Sequence, residues 1–133
     1  MSSGAVCRCL SGLVLAALPA SVFADPSLEC SLVSSSQVET SACLADVEKR
    51  VDQTLEIALK SARASATELD DITGRTVALP ALEASQAAWD AYRAAHCEYT
   101  GTLSGGGSGT GISIRACRIS LSRARVAELL SRL

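Results

Sequence analysis

Six apolar residues, Leu44, Val47, Val51, Leu55, Ala58 and Ala62, follow one another at steps of three and four. That spacing puts them on one side of an α-helix and on neither face of a strand. A helix with one apolar stripe must bury it against other elements, because propensity alone holds such a helix poorly in water. Ser36-Gln37-Val38-Glu39 marks its start. This is a capping box, in which the Ser36 hydroxyl accepts from the Glu39 amide and the Glu39 carboxylate accepts from the Ser36 amide. Gly74, after Asp70-Asp71-Ile72-Thr73, is a natural stop. The first helix is expected from about Gln37 to about Leu69.

Two more helices follow. Pro80 suits the first turn of the second, which is expected to continue to Glu98 or Tyr99. Gly101 to Gly111 holds six glycines in eleven residues and reads as a loop without regular structure. The third helix is expected from about Ser113 to Arg132. A short connection between the first two favours antiparallel neighbours. No long stretch alternates apolar and polar residues. The expected fold is all-α, an up-down array of three helices with an irregular N-terminal arm, stapled by two disulfides.

The first 24 residues stand apart from this pattern. Met1 to Cys9 carries one charge, Arg8; Leu10 to Leu18 is a compact apolar run; Val22-Phe23-Ala24 offers a cleavage site. That is the layout of a secretory signal peptide cut between Ala24 and Asp25. The run is far short of the roughly 20 residues that span a bilayer. A lipoprotein would need a cysteine directly after the run. Cys7 and Cys9 precede it, and Cys30 follows Ser27-Leu28-Glu29, too acidic and too far downstream. The expectation is residues 1–24 as signal, residues 25–133 as one helical domain, and a periplasmic or secreted product with no membrane span.

Removing 24 of the 133 residues leaves 109, and losing Arg8 takes the formal charge from −2 to −3. Four of the six cysteines remain: Cys30, Cys43, Cys97 and Cys117. In an exported chain they read as two disulfides, with three connectivities open. A zinc site lacks the usual pair spacing, and His96 merely adjoins Cys97. No metal or cofactor is expected. Mild acidity with only Trp89, Tyr92 and Tyr99 left to stack on bases does not fit nucleic-acid binding. An enzyme is equally hard to assemble, because His96 is the single histidine and paired cysteines supply no nucleophile. Asp70-Asp71 reads as a helix end.

The most specific segment is Leu82-x-x-x-Gln86-x-x-Trp89-x-x-Tyr92-Arg93-x-x-x-Cys97. On a helix Leu82, Gln86, Arg93 and Cys97 share a narrow arc, with Trp89 and Tyr92 beside it. Gln and Arg in a buried stripe need partners, so the segment reads as a core seam closed by a polar network.

With its surroundings, this segment resembles the LprI-like lysozyme-inhibitor family. Cys43, Asp52 and Leu55 fit the family's first helix. Gln86, Trp89, Tyr92, Arg93 and Cys97 fit its second. Gly105-Gly106-Gly107-Ser108 fits its glycine-rich loop, and Cys117, Arg125, Glu128 and Leu129 fit its last helix. Glu56, Leu59 and Ser122 stand where the family usually has Asn, Tyr and Thr. The resemblance covers Cys30 to Leu133 and implies a protein partner, lysozyme.

With the helices so placed, Cys97 and Cys117 flank one loop, and Cys30 in the arm can clip onto Cys43. The pairing expected is Cys30–Cys43 and Cys97–Cys117, each stabilising by roughly 3 kcal/mol in the chain-entropy model. Glu48, Asp52 and Glu56 form one charged row; Arg118, Arg125 and Arg132 form another. Cross-helix pairing is favoured for Asp52 with Arg93 or Arg125. The glycine-rich loop lacks a Gly-Lys-Ser/Thr ending and no strand precedes it, so it is not a phosphate loop.

The leading reading is therefore an exported binding protein that inhibits lysozyme by occluding its cleft. Gly101 to Gly111 is the candidate recognition loop, with Ser104, Ser108 and Thr110 as hydrogen-bonding groups around Gly105, Gly106 and Gly107. The alternatives are an envelope interaction module with another protein partner and, last, a small exported hydrolase.

Overall fold

The structure is a computed structural model that describes residues 24–132. The expected signal peptide lies, except for Ala24, outside the described residues. The described residues form four helices: α1 Pro26–Ser31, α2 Gln37–Thr73, α3 Ala78–Thr102 and α4 Ser108–Leu130. The described residues contain no strand.

The arm is not wholly irregular. Asp25 accepts a hydrogen bond from the Ser27 amide at 2.9 Å, and Pro26 opens the short helix α1. An acidic cap followed by proline is a strong start signal even for six residues. At the head of α2, Ser36 Oγ accepts from the Glu39 amide at 3.2 Å as expected, but the Glu39 carboxylate accepts from the Ser35 amide at 2.7 Å rather than from Ser36.

Helix α2 outruns the expected end and stops at Gly74, which has φ +63°. The Arg75 amide donates to the Asp70 carbonyl at 3.1 Å and the Gly74 amide to the Asp71 carbonyl at 3.3 Å. This pair of bonds is a Schellman stop, and it needs a residue that tolerates the left-handed region. The Asp70 carboxylate reaches across the turn and accepts from the amides of Ala78, Leu79 and Val77 at 2.8, 3.0 and 3.0 Å. It thereby caps α3, which lacks a capping side chain of its own. These three donors, Ala78 first, hold the Asp70 carboxyl below the usual carboxylate range.

Helices α2 and α4 run side by side in the same direction: Ser108 meets Gln37, Arg115 meets Glu48, and Ser122 meets Asp52. Helix α3 runs against α2, with Arg63 on Glu83 and Arg93 on Asp52. Helix α1 packs on α2 and α4 and is tied to α4 by a two-pronged Arg123–Glu29 pair at 2.9 and 2.8 Å. That guanidinium pulls the Glu29 carboxyl down, and the carboxylate in turn raises Arg123.

The apolar stripe of α2 faces the core as its spacing required, with Leu44, Leu55 and Ala58 buried and Val47, Val51 and Ala62 partly buried. It divides between two clusters. Leu55, Ala58, Leu59 and Leu129 form one, against Ala62, Leu82, Trp89 and Val126. Cys30, Leu44 and Ile119 form the other, against Cys43, Val47, Val51 and Ile112. The disulfides are Cys30–Cys43 and Cys97–Cys117, with Cα atoms 5.8 and 5.5 Å apart.

The glycine-rich interval is the main departure from expectation. Helix α3 continues through Gly101 and Thr102, and α4 begins at Ser108 rather than near Ser113. The loop is only residues 103–107. Gly105, Gly106 and Gly107 all have positive φ, at +70°, +85° and +93°, which explains a triple glycine there. Gly101 has a packing role instead. A Cβ at this position would lie 2.5 Å from Ile114 Cγ1 and 2.8 Å from Cδ1. The helices approach that closely because the glycine leaves room, and the contact outweighs its helix-propensity cost of about 1 kcal/mol. Gly101→Ala is therefore expected to destabilise by about 1–2 kcal/mol, since the overpacking strain exceeds the propensity gain. Urea unfolding checks this. A stability equal to or above wild type would mean that Ile114 swings aside.

Candidate functional site

The polar residues of the α3 motif meet α2 and α4 between the two apolar clusters. Arg93 Nη2 donates to Asp52 Oδ1 at 2.8 Å. The same Asp52 oxygen accepts from Ser122 Oγ at 3.2 Å. Of the two partners expected for Asp52, the structure selects Arg93. Glu48 lies behind this pair, 3.9 Å from both Arg93 and Arg118, and accepts from Arg115 Nη1 at 2.8 Å. Arg118 closes the row on Glu98 at 2.9 Å. The groove beside this network, lined by Glu48, Asp52, Asp90, Arg93, Ala94 and Arg118, has a volume of about 350 Å³.

Arg125 forms the second half of the seam. It is only 6% exposed. Its Nε donates to Gln86 Oε1 at 3.2 Å, Nη1 to Glu128 at 2.9 Å and Nη2 to Ser85 Oγ at 3.1 Å. Gln86 passes the chain on, donating to Asp90 at 3.1 Å. Trp89 lies between the two arginines, with the Arg93 and Arg125 guanidinium carbons 5.8 and 6.0 Å from its ring. Leu82 and Leu129 pack below, Leu55 is buried with them, and Cys97 is locked to Cys117. Most carboxylates and guanidiniums in this seam are paired with one another, while Asp90 is held by Gln86 and Arg93 Nε is buried without a partner. The arrangement suits a fixed scaffold better than proton transfer.

Tyr92 behaves differently from the rest of its motif. It is 52% exposed and stacks on His96, ring centroids 5.1 Å apart at 20° between planes. Beyond it lie Tyr99 and Leu103, also exposed. At the loop, Ser104 shares a hydrogen bond with Ser113, and Ser108 donates to Gln37. Thr110 sits inside α4, and its Oγ1 is buried without a partner. The loop candidates are thus split: Ser104 to Gly107 form the exposed turn, while Ser108 and Thr110 belong to the helix.

The family model for lysozyme inhibitor LprI matches residues 30–129. The chain belongs to the LprI family. The LprI match takes in both disulfides, the polar seam and the tip loop. An uncharacterized protein of Rhizobium meliloti (strain 1021) is 34% identical over 100 residues, 71% of each chain. No solved structure matches. Leu59 joins the apolar cluster, and the Ser122 hydroxyl serves Asp52. Sequence reasoning missed Asp70 as the cap of α3, Ser85 as an Arg125 partner and Arg115 on Glu48. None of these follows from helix periodicity, since each depends on how two helices are set against each other. Among the described residues no group of three or more His, Cys, Asp or Glu is placed to hold a metal ion. No described helix is long and apolar enough to cross a membrane.

Proposed function

We propose that this protein is an exported inhibitor of lysozyme, binding the enzyme as a rigid ligand that covers its cleft. Membership of the LprI family is the observation that carries this reading. Lysozyme works with two carboxylates on either side of the glycosidic bond in an open cleft. Blocking it requires an element that projects and does not collapse. The turn at residues 103–107 has that character. It is short, and its base is tied by the Cys97–Cys117 bridge and the Ser104–Ser113 contact. Such preorganisation lowers the entropic cost of binding. A formal charge of −3 after loss of the leader favours encounter with a basic enzyme. Two disulfides suit an oxidising compartment, and Asp25, the first residue after the expected cut, already caps α1.

The test is lysis of peptidoglycan by several lysozyme types, titrated with purified residues 25–133. Inhibition approaching one inhibitor per enzyme is expected for at least one type, together with binding by calorimetry. Full activity of every type at micromolar excess would overturn the reading. Binding without inhibition would favour an envelope interaction module instead.

A further inference from the structure

We propose that the outward stripe of α3, Tyr92, His96, Tyr99 and Leu103, forms a second half of the binding surface and takes an arginine- or lysine-bearing face of lysozyme against its rings. This rests on the inhibitor reading above and names where the enzyme is held. The four residues recur at i, i+4, i+7 and i+11, within an arc of about 60°. They point away from α2 and α4. Tyr92 is 52%, Tyr99 61% and Leu103 68% exposed. The chain has only one Trp, two Tyr and one Phe. A core so poor in aromatics nevertheless leaves both tyrosines in water. Large rigid rings of this kind carry much of the energy in protein interfaces.

The chemistry of the face points to a cationic partner. Arg93 and Arg125 both sit over Trp89, so the chain's own ring-stacked guanidiniums are directed inward. Arg93 is the single cation of α3 and is bound to Asp52. The exposed charges of α3 are the carboxylates Glu83, Asp90 and Glu98. Those carboxylates lie on the other side of α3, two of them held by Arg63 and Arg118. The stripe itself carries no lysine or arginine, and a basic surface finds open tyrosine faces there for cation–π contact. The Tyr92–His96 stack already fixes one ring, which reduces the ordering cost on binding. The stripe is also continuous with the tip, because Leu103 ends the one and begins the other. It extends the contact by about 16 Å along the helix. A five-residue turn alone falls well short of the roughly 20–30 residues a stable interface uses on each side.

The experiment compares wild-type residues 25–133 with Tyr92→Ala/Tyr99→Ala, with Ala95→Arg beside the stripe, and with Ala64→Arg on α2 as a control. Ala95 and Ala64 are both exposed helix positions, so arginine there leaves the fold intact. Calorimetry against the lysozyme that wild type inhibits gives Kd, and circular dichroism gives the melting midpoint. At least tenfold weaker binding is expected for the double tyrosine variant and for Ala95→Arg, about the effect of losing interface anchors. Ala64→Arg is expected to bind like wild type. If the tyrosine variant melts early, Ala95→Arg decides. Wild-type affinity in folded Ala95→Arg and tyrosine variants would overturn the stripe while leaving the inhibitor reading standing. Self-association of wild type that these substitutions abolish, with lysozyme affinity unchanged, would overturn it in favour of a second copy of the chain. Wild type that binds no lysozyme would overturn both.

Discussion

Replacing Cys97 and Cys117 together by alanine is expected to lower stability by about 3–4 kcal/mol. The bridge spans a sequence separation of 20 that contains the whole tip, and Cys97 is fully buried. Opening it restores conformational freedom to the unfolded chain and leaves a void between α3 and α4. For a domain of this size the thermal midpoint should fall on the order of 10–20 °C. The companion change at Cys30 and Cys43 should cost less globally. That bridge holds a six-residue helix, which can detach locally while α2, α3 and α4 remain packed. Denaturant unfolding of both variants measures the difference. A loss below 1 kcal/mol for the Cys97 and Cys117 variant would show that the Gly101–Ile114 and Ser104–Ser113 contacts hold the corner without the bridge.

Arg125→Ala is expected to cost about 2–4 kcal/mol, combining a buried cavity with a stranded hydrogen-bond acceptor. Gln86 is buried beside it, 6% exposed, and its Oε1 loses the Arg125 donor. Trp89 loses one of its two flanking guanidiniums. Glu128 is half in water and contributes little to the loss. Arg125→Met separates the causes, since it restores volume without the charge. Its stability should lie between wild type and alanine, because replacing a buried cation by a packed apolar chain is often nearly neutral. Methionine as damaging as alanine would assign the whole effect to the Gln86 and Ser85 hydrogen bonds rather than to packing. Neither variant should alter the proposed binding of lysozyme once folded, as Arg125 faces the interior.

Much of the seam is legible in the sequence. Gln86, Arg93 and Arg125 are polar groups on stripes that must be buried, so each had to find a partner. The family resemblance narrowed the choice for Asp52 to Arg93 or Arg125, since all three match family positions. It did not decide between them, because the outcome depends on how α3 and α4 rotate against α2. Tyr92 was grouped with this seam because it borders the motif's arc. The structure turns it outward, since the buried arc shifts around α3 along its length and Tyr92 falls beyond its edge. The tip was misjudged for another reason. Six glycines weaken a helix by local propensity, but Gly101 against Ile114 and Ile112 in its cluster gain more from packing than propensity takes away.

The amino-acid sequence alone determined the helical class, the starts and stops marked by Ser36, Gly74 and Pro80, and four cysteines suited to two bridges. Those properties follow from periodicity and backbone chemistry within a few residues. Only the tertiary structure decided that Asp70 caps the next helix, that Asp52 takes Arg93, and that the glycine-rich segment shrinks to a five-residue turn beside an exposed aromatic stripe. Each of these is settled by the separation and rotation of whole helices, which depend on every side chain packed between them.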